Sequence, residues 1–551
     1  MKDMTKKSLV LPLLAALLFS GAVAMPAAAQ DAFQNLIPDD ALGLIRVKSI
    51  GGLQSEVRAL VGAIDPSMVD EVDVEELLAL LDLADLELDM TKPACFAMGA
   101  PEDAFSEPVP VVVLPCKDAK KTAEEINAMG YDSDAVARGS YVAFAPMGTY
   151  TAGTKPSPLL NALPSADVLL RLNLGGLIEI YRDDIDMVLD MAAEEMAAGA
   201  PTAAVGTMME SVTDVLGDVV DSARVLDVTF DIDKTLVDFG MALSVGQGTA
   251  LAKSTTMGSS SLGALAGFLP ASHPISMMFS WDMKGMTAML ETMYGELAQE
   301  MPEEMQESYT ALMSASTEIM KLLGNDIAFS LGAGADGLEL VQIFSVPDPA
   351  AMMASWKELL GGDAFKSVGT SAVFGEAKTD EAGVTYQAIT VNVDWEKMMA
   401  LSGATGLGAE VAQQMAPMMQ AIFGSETMTM QTATVGKHVL IGMGGETLLK
   451  QSIANMKQGG SAGLKATLAR AGTAPAFAFD ADIRGIFKAV KLMADRMGQG
   501  DNVPTLPPGP PMGVGVYAGR SGLVYRAGLR ADVGIMQMIM AVQPGAPGPG
   551  K

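Results

Sequence analysis

The chain has 551 residues and a formal charge of −30, from 36 Lys+Arg against 66 Asp+Glu; it is 49% hydrophobic but only 5% aromatic. So negative a charge repels nucleic-acid phosphates and anionic lipid surfaces, and so much apolar sequence excludes a disordered acidic coil. Two Cys and two His cannot build a zinc ribbon or a disulfide scaffold, and they leave little for imidazole-based metal or triad chemistry.

Lys2, Lys6 and Lys7 precede the apolar run SLVLPLLAALLFSGAVAM, and Ala27-Ala28-Ala29 offers a small-residue cleavage site before Gln30. This layout predicts a secretory signal peptide over 1–29. The rival is an uncleaved anchor helix, opposed by Pro12 and by the cleavage site. Losing three Lys and one Asp takes the formal charge from −30 to −32. No later run reaches about 18 uninterrupted apolar residues, so the mature chain is expected to lack a transmembrane segment and to be exported, periplasmic or extracellular.

Next comes a strand, ALGLIRVK, and then 66–90, whose leucines recur at helical spacing with acids between them. Those acids read as a solvated helix face, since they lack the Gly-centred ligand loop of an EF-hand. Cys95 lies in ACFAMGA and Cys116 ends VPVVVLPC, two short strand-like runs. An oxidising compartment permits a disulfide between them, and two small buried thiols is the alternative. Residues 177–220 and 286–323 read as helices, IAFSLGAGADGLELVQIFSV as a hairpin, 501–511 (DNVPTLPPGPP) as a loop and 546–551 as a disordered tail.

Four segments share one pattern: Ser49-Ile50-Gly51-Gly52-Leu53, Asn173-Leu174-Gly175-Gly176-Leu177, Asp282-Met283-Lys284-Gly285-Met286 and Asp482-Ile483-Arg484-Gly485-Ile486. Each follows an apolar run led by a proline (Pro38, Pro164, Pro274, Pro475) and begins with a good helix N-cap. The Gly three residues after the cap is expected to let the first turn pack closely on a sheet. Ser49 and Asp282 lie 233 residues apart, Pro115 and Pro347 lie 232 apart, and Gly139 pairs with Gly436 at 297. These offsets predict a tandem duplication: a first half over 30–262 and a second over 263–545, with an insertion near 363–435. The expected class is α+β, antiparallel sheets with long amphipathic helices packed on one face.

Most candidate chemistries give way to simpler readings. Gly332-Ala333-Gly334-Ala335-Asp336-Gly337 matches a dinucleotide fingerprint, but the strand-like LELVQIFSV follows where a helix is needed, so it reads as a β-turn. Gly459-Gly460-Ser461-Ala462-Gly463 matches a nucleophile elbow, but a helix precedes it, so it reads as a helix C-cap and loop. Ser259-Ser260-Ser261 reads as a polar loop with no partner nearby. His273, at the entrance to a strand, and His438, inside one, read as structural. No cofactor motif and no metal-ligand spacing is present, and no catalytic residue is assigned. A paired-carboxylate glycosidase remains open on composition, although Trp281, Trp356 and Trp395 are few for sugar platforms. The 42 methionines admit three roles: core filler in place of Leu and Phe, an adaptable apolar surface, or Cu(I) ligation.

LIPDDALGLIRVKSIGGL and ALPSADVLLRLNLGGL resemble uncharacterised secreted bacterial proteins built from repeated proline-led strand–helix units. The resemblance spans most of the mature chain in pattern and implies fold and export only. The expected function is an exported non-enzymatic binding protein for a hydrophobic small molecule or an envelope partner. The alternatives are an exported hydrolase using two carboxylates about 5–9 Å apart, one with a raised pKa, and a purely structural envelope scaffold.

Overall fold

The computed structural model describes residues 35–542, apart from 65, 67–68, 70–85, 102–105, 129–132, 150–152, 154–156, 199–202, 254–257, 260, 301–302, 335–336, 368, 395–426, 445, 455, 457–459, 507 and 510–511. The signal segment 1–29, most of the helix expected over 66–90, Trp395 and the tail 546–551 therefore lie outside the described residues.

Runs with apolar residues at every second position form strands, because alternate side chains share a face. In chain order they are β1 Gly43–Val47, β2 Ala94–Gly99, β3 Val109–Pro115, β4 Ser133–Arg138, β5 Tyr141–Pro146, β6 Val168–Leu172, β7 Ala223–Ile232 and β8 Leu236–Val245. There follow β9 Ile275–Ser280, β10 Asp326–Gly334, β11 Gly337–Ser345, β12 Thr370–Phe374, β13 Lys378–Thr379, β14 Thr385–Val393, β15 Met428–Val435 and β16 His438–Met443. The last three are β17 Ala474–Asp482, β18 Gly513–Ser521 and β19 Val524–Asp532.

The chain divides into two compact units, the first holding Met1–Ala200, Met209–Lys253 and Leu523–Lys551, the second Pro201–Met208 and Ser254–Gly522. In the first unit the strands run β4-β5-β3-β2-β1-β6-β7-β8-β19, every neighbouring pair antiparallel. The second runs β14-β15-β16-β11-β10-β9-β17-β18, also antiparallel throughout, with β12 and β13 both paired to β14. This is the expected α+β class. The stretch from 523 onward, which the sequence placed in the second half up to 545, groups with the first unit because β19 pairs with β8 from Val524↔Ser244 to Asp532↔Leu236. The 363–435 segment contributes β12, β13 and β14 beyond β15.

The four cap motifs all join a strand to a helix: β1 to Ile50–Ile64, β6 to Leu174–Ile180, β9 to Met283–Glu300 and β17 to Ile483–Arg496. Ser49 Oγ accepts from Gly52 N (3.0 Å), Asn173 Oδ1 from Gly176 N (3.1 Å), Asp282 Oδ1 from Gly285 N (3.2 Å) and Asp482 Oδ1 from Arg484 N (3.1 Å). Each satisfies an amide that the first helical turn leaves without an intrahelical partner. The glycine acts differently from the close sheet packing expected of it. A Cβ at Gly285 would lie 2.8 Å from Asp282 Oδ2, one at Gly176 2.8 Å from Asn173 Nδ2, and one at Gly52 3.1 Å from Ser49 Oγ. The missing side chain makes room mainly for the cap itself. At two of the four the chain just ahead of a strand also presses in, with Pro274 Cβ 2.6 Å from the Gly485 position and Leu42 Cδ2 3.0 Å from that of Gly176.

The helices expected over 177–220 and 286–323 appear as Arg182–Ala198 with Ala203–Ser222, and as Met283–Glu300 with Glu303–Leu322. In the second unit one sheet face packs on long helices through Met283, Met286, Met320, Met352, Trp356 and Phe344, so methionine serves as core filler here. The other face is closed by the short helices Leu262–Leu265, Glu446–Ala454 and Ala462–Ala471, which bury Leu262, Leu265, Leu449 and Leu464. The expectation of helices on one face thus describes the long helices. In the first unit Ile50–Ile64 and Ala119–Ala128 cover one face. Loops carrying Leu36, Ile37, Leu159 and Leu160 cover the other.

Candidate functional site

Cys95 and Cys116 are both free and buried. Their strands are neighbours, but Cys95 lies opposite Val113 and packs in the core under the loops, whereas Cys116 packs with the helices on the opposite face. Strand side chains alternate between faces, so neighbouring strands do not bring these thiols together and the disulfide is not formed. Burial pushes the Cys95 thiol well above the usual range, and the Cys116 thiol is raised for the same reason.

The dinucleotide-like glycines belong to the β10–β11 hairpin, where Gly334 pairs with Gly337 and Gly332 with Glu339. They make room for polar side chains. A Cβ at Gly332 would come within 2.5 Å of the His273 ring, and one at Gly334 would overlap Glu339. His273 Nδ1 shares a 2.8 Å hydrogen bond with Ser330 Oγ, and Nε2 lies 3.2 Å from Glu339 Oε2. A neutral imidazole with its proton on Nε2 satisfies both contacts, and burial lowers the pKa of His273 against the opposing pull of Glu339. The Ser–His–Glu order suits nucleophile activation, but Ser330 is 0% exposed, so no substrate reaches its hydroxyl.

Ser259 and Ser261 do have a partner, distant in sequence. Both hydroxyls donate to Asp326 Oδ2, from Ser259 at 3.0 Å, and the two serine oxygens lie 2.6 Å apart. Asp326 is 3% exposed, and its Oδ1, like Nδ1 of His438, has no hydrogen-bond partner among the described residues. Burial lowers the pKa of His438, with Asp326 pulling the other way. Ser461 is the N-cap of Ala462–Ala471, accepting from Leu464 N at 2.9 Å and donating to Asp480 Oδ2 at 2.7 Å. A helix does follow this serine, as a nucleophile elbow requires, but its hydroxyl is spent on capping. Gly460, at φ +81°, supplies the expected turn.

Acids converge in the first unit as well. Asp167 accepts from Lys48 Nζ at 3.0 Å and from Ile232 N at 2.9 Å, while Asp231 accepts from Asp167 N at 3.1 Å. Glu56 Oε2 is buried without a hydrogen-bond partner among the described residues. Burial, with Asp167 next in effect, raises the Glu56 pKa. Among the described residues no three His, Cys, Asp or Glu converge as metal ligands. No helix there is long and apolar enough to cross a membrane.

A cavity of about 410 Å³ lies in the second unit, walled by the helix Ile483–Arg496 on one side and by Pro504, Thr505, Leu506, Pro508 and Gly509 on the other. Phe487 and Leu506 give it apolar surface, joined by Pro504 and Pro508. Arg484, Lys488 and Lys491 line it too, at i, i+4 and i+7, a spacing that aligns them along one face of the helix. Lys491 Nζ donates to Gly500 O at 3.1 Å and to Asp495 Oδ1 at 3.3 Å, tying the helix to the start of the loop. The Arg484 guanidinium lies where a Cβ on Gly509 would stand, Nη2 being 2.5 Å from that position. Lys488 is exposed and has no ion pair or hydrogen bond among the described residues. The loop was legible in the sequence as a loop. The cationic stripe was legible too, but the groove arises only where Pro504, Thr505, Leu506, Pro508 and Gly509 line it opposite the helix. No family model, curated protein or solved structure matches this chain.

Proposed function

We propose that this is an exported, non-enzymatic binding protein that holds a hydrophobic small molecule in the groove between Ile483–Arg496 and 504–509. The observation that carries the reading is the lining: Phe487, Leu506 and two prolines give it apolar surface, and no carboxylate is among its residues. Its volume of about 410 Å³ falls within the ~300–1,000 Å³ typical of small-molecule sites. Export rests on the lysine-led apolar leader of 1–29, whose layout supports a mature chain in the periplasm or outside the cell. No methionine is among the residues that line this groove, so the reading does not draw on an adaptable methionine surface.

Native mass spectrometry of the mature protein, purified without detergent from the cells that make it, tests the proposal. A stoichiometric adduct that disappears on organic extraction is the expected result. A clean apo mass before and after extraction would overturn it in favour of a surface-acting envelope scaffold.

We also infer that the two units descend from one duplicated ancestor. The path β4-β5-β3-β2-β1-β6-β7 has the same order of connections as β15-β16-β11-β10-β9-β17-β18, and the sequence offsets of 233 and 232 link the same strands. Experimental coordinates in which these two seven-strand paths fail to superpose would refute the inference.

A further inference from the structure

We infer that the ligand of this groove is a single-chain amphiphile with an anionic head, held by Lys488 and the flanking Arg484 and Lys491, with its chain against Phe487 and Leu506. The inference rests on the binding reading of the same groove and names its ligand class. In a chain with 66 acids and 36 bases, three of the nine lining residues are cations and none is an acid. Like charges at i,i+4 on a helix repel, so lining one face this way works against the free helix unless something offsets the charge. Lys491 is offset by Asp495 and by the Gly500 carbonyl. Lys488, between the other two cations along the helix, has no ion pair or hydrogen bond among the described residues. An anion placed there gains charge-assisted hydrogen bonds.

The apolar lining distinguishes an amphiphile from a bare anion. Phe487 and Leu506 are both partly buried in the groove, and inorganic phosphate would leave their surface without a partner. An alkyl chain covers it at roughly 0.8 kcal/mol per buried CH₂. The overall negative charge does not prevent this. At physiological ionic strength the Debye length is about 8 Å, so an anion inside the groove responds to the side chains beside it, Lys488 foremost, rather than to the net charge of the chain.

Isothermal titration of the mature protein with dodecanoate, dodecanol and inorganic phosphate, all below any micelle concentration, decides the matter. Dodecanoate is expected to bind one to one and at least about tenfold more tightly than dodecanol. Lys488→Gln is expected to weaken dodecanoate about tenfold and leave dodecanol unchanged; its side chain is exposed, so the fold is expected to be kept, which circular dichroism checks. Equal binding of dodecanoate and dodecanol would overturn the anionic head and leave the apolar reading standing. Phosphate binding as tightly as dodecanoate would overturn the amphiphile. Failure of all three probes in protein shown by mass to be ligand-free would overturn the groove as a ligand site, and the binding reading with it.

Discussion

At the scale of single residues, this protein places several polar groups where burial governs their ionisation. Glu56 is the most informative. Its pKa is raised chiefly by burial and next by Asp167, so the folded state holds its proton more tightly than the unfolded chain does. Stability from this group is therefore present below the ordinary carboxyl value of 4.5 and falls as pH rises through the raised value. Glu56→Gln keeps the shape and removes the charge. At pH 7 it should raise the melting temperature, and the gain should vanish toward pH 4. Scanning calorimetry of both proteins across that range checks the sign; a variant less stable at pH 7 would refute it.

A buried ion pair gives a second test at this scale. Arg171 Nε and Nη2 donate to Asp227 Oδ1 (2.6 Å) and Oδ2 (2.8 Å), both residues being 6% exposed. The same guanidinium donates to Leu159 O at 3.0 Å and to Asn161 O, pinning the loop that closes one face of the first unit. Arg171→Met leaves Asp227 buried and unpaired, an expected loss of about 3–5 kcal/mol in urea unfolding, whereas the double variant Arg171→Met, Asp227→Leu should recover most of the charge penalty. A double variant as unstable as the single would show that the loop contacts, not the charge, carry the cost.

Among the elements, the strand–cap–helix joint is the unit this chain reuses. Its glycine is explained by the cap, since the Asp282 carboxylate occupies the space a Gly285 Cβ would need. Asp282→Ala should cost about 1 kcal/mol through loss of the cap. Gly285→Ala should be unfavourable alone because it crowds Asp282, yet favourable by up to about 1 kcal/mol once Asp282 is alanine, where helix propensity alone decides. Urea unfolding of the four proteins measures this coupling, and simple additivity would refute it. Helix 483–496 follows the same joint, and its Arg484, Lys488 and Lys491 line the groove.

For the whole molecule, two units with the same order of strand connections differ in what closes their faces. In the first, loops strapped by arginine cover the side away from the helices: Arg46 Nη2 donates to Pro164 O at 2.8 Å, as Arg171 does to the residues just before it. In the second, short helices take that side, and the proline-led entry to β9 brings His273 under the sheet to Ser330 and Glu339. The groove proposed to hold a ligand lies in the second unit, where Pro504, Thr505, Leu506, Pro508 and Gly509 line it opposite the helix after β17. Loss of the extractable adduct from a Leu506→Asp variant, with the fold retained, is the expected result at this scale. The introduced carboxylate would repel an anionic head and expel an alkyl chain.

The sequence by itself determined the elements: the caps at Ser49, Asn173, Asp282 and Asp482, the two long helical stretches, the β10–β11 hairpin and the α+β class. Such features depend on residues within a few positions of one another, and period and capping chemistry are local. Only the tertiary structure decided which distant groups meet. The serines at 259 and 261 find Asp326 across 67 and 65 residues. Cys95 and Cys116 part because a one-residue change in strand parity sends a side chain to the other face. Leu506 lines a groove only because the fold sets it beside Phe487. Long-range pairing is set by sheet register and by which loop folds onto which helix, and no short stretch of this sequence encodes either.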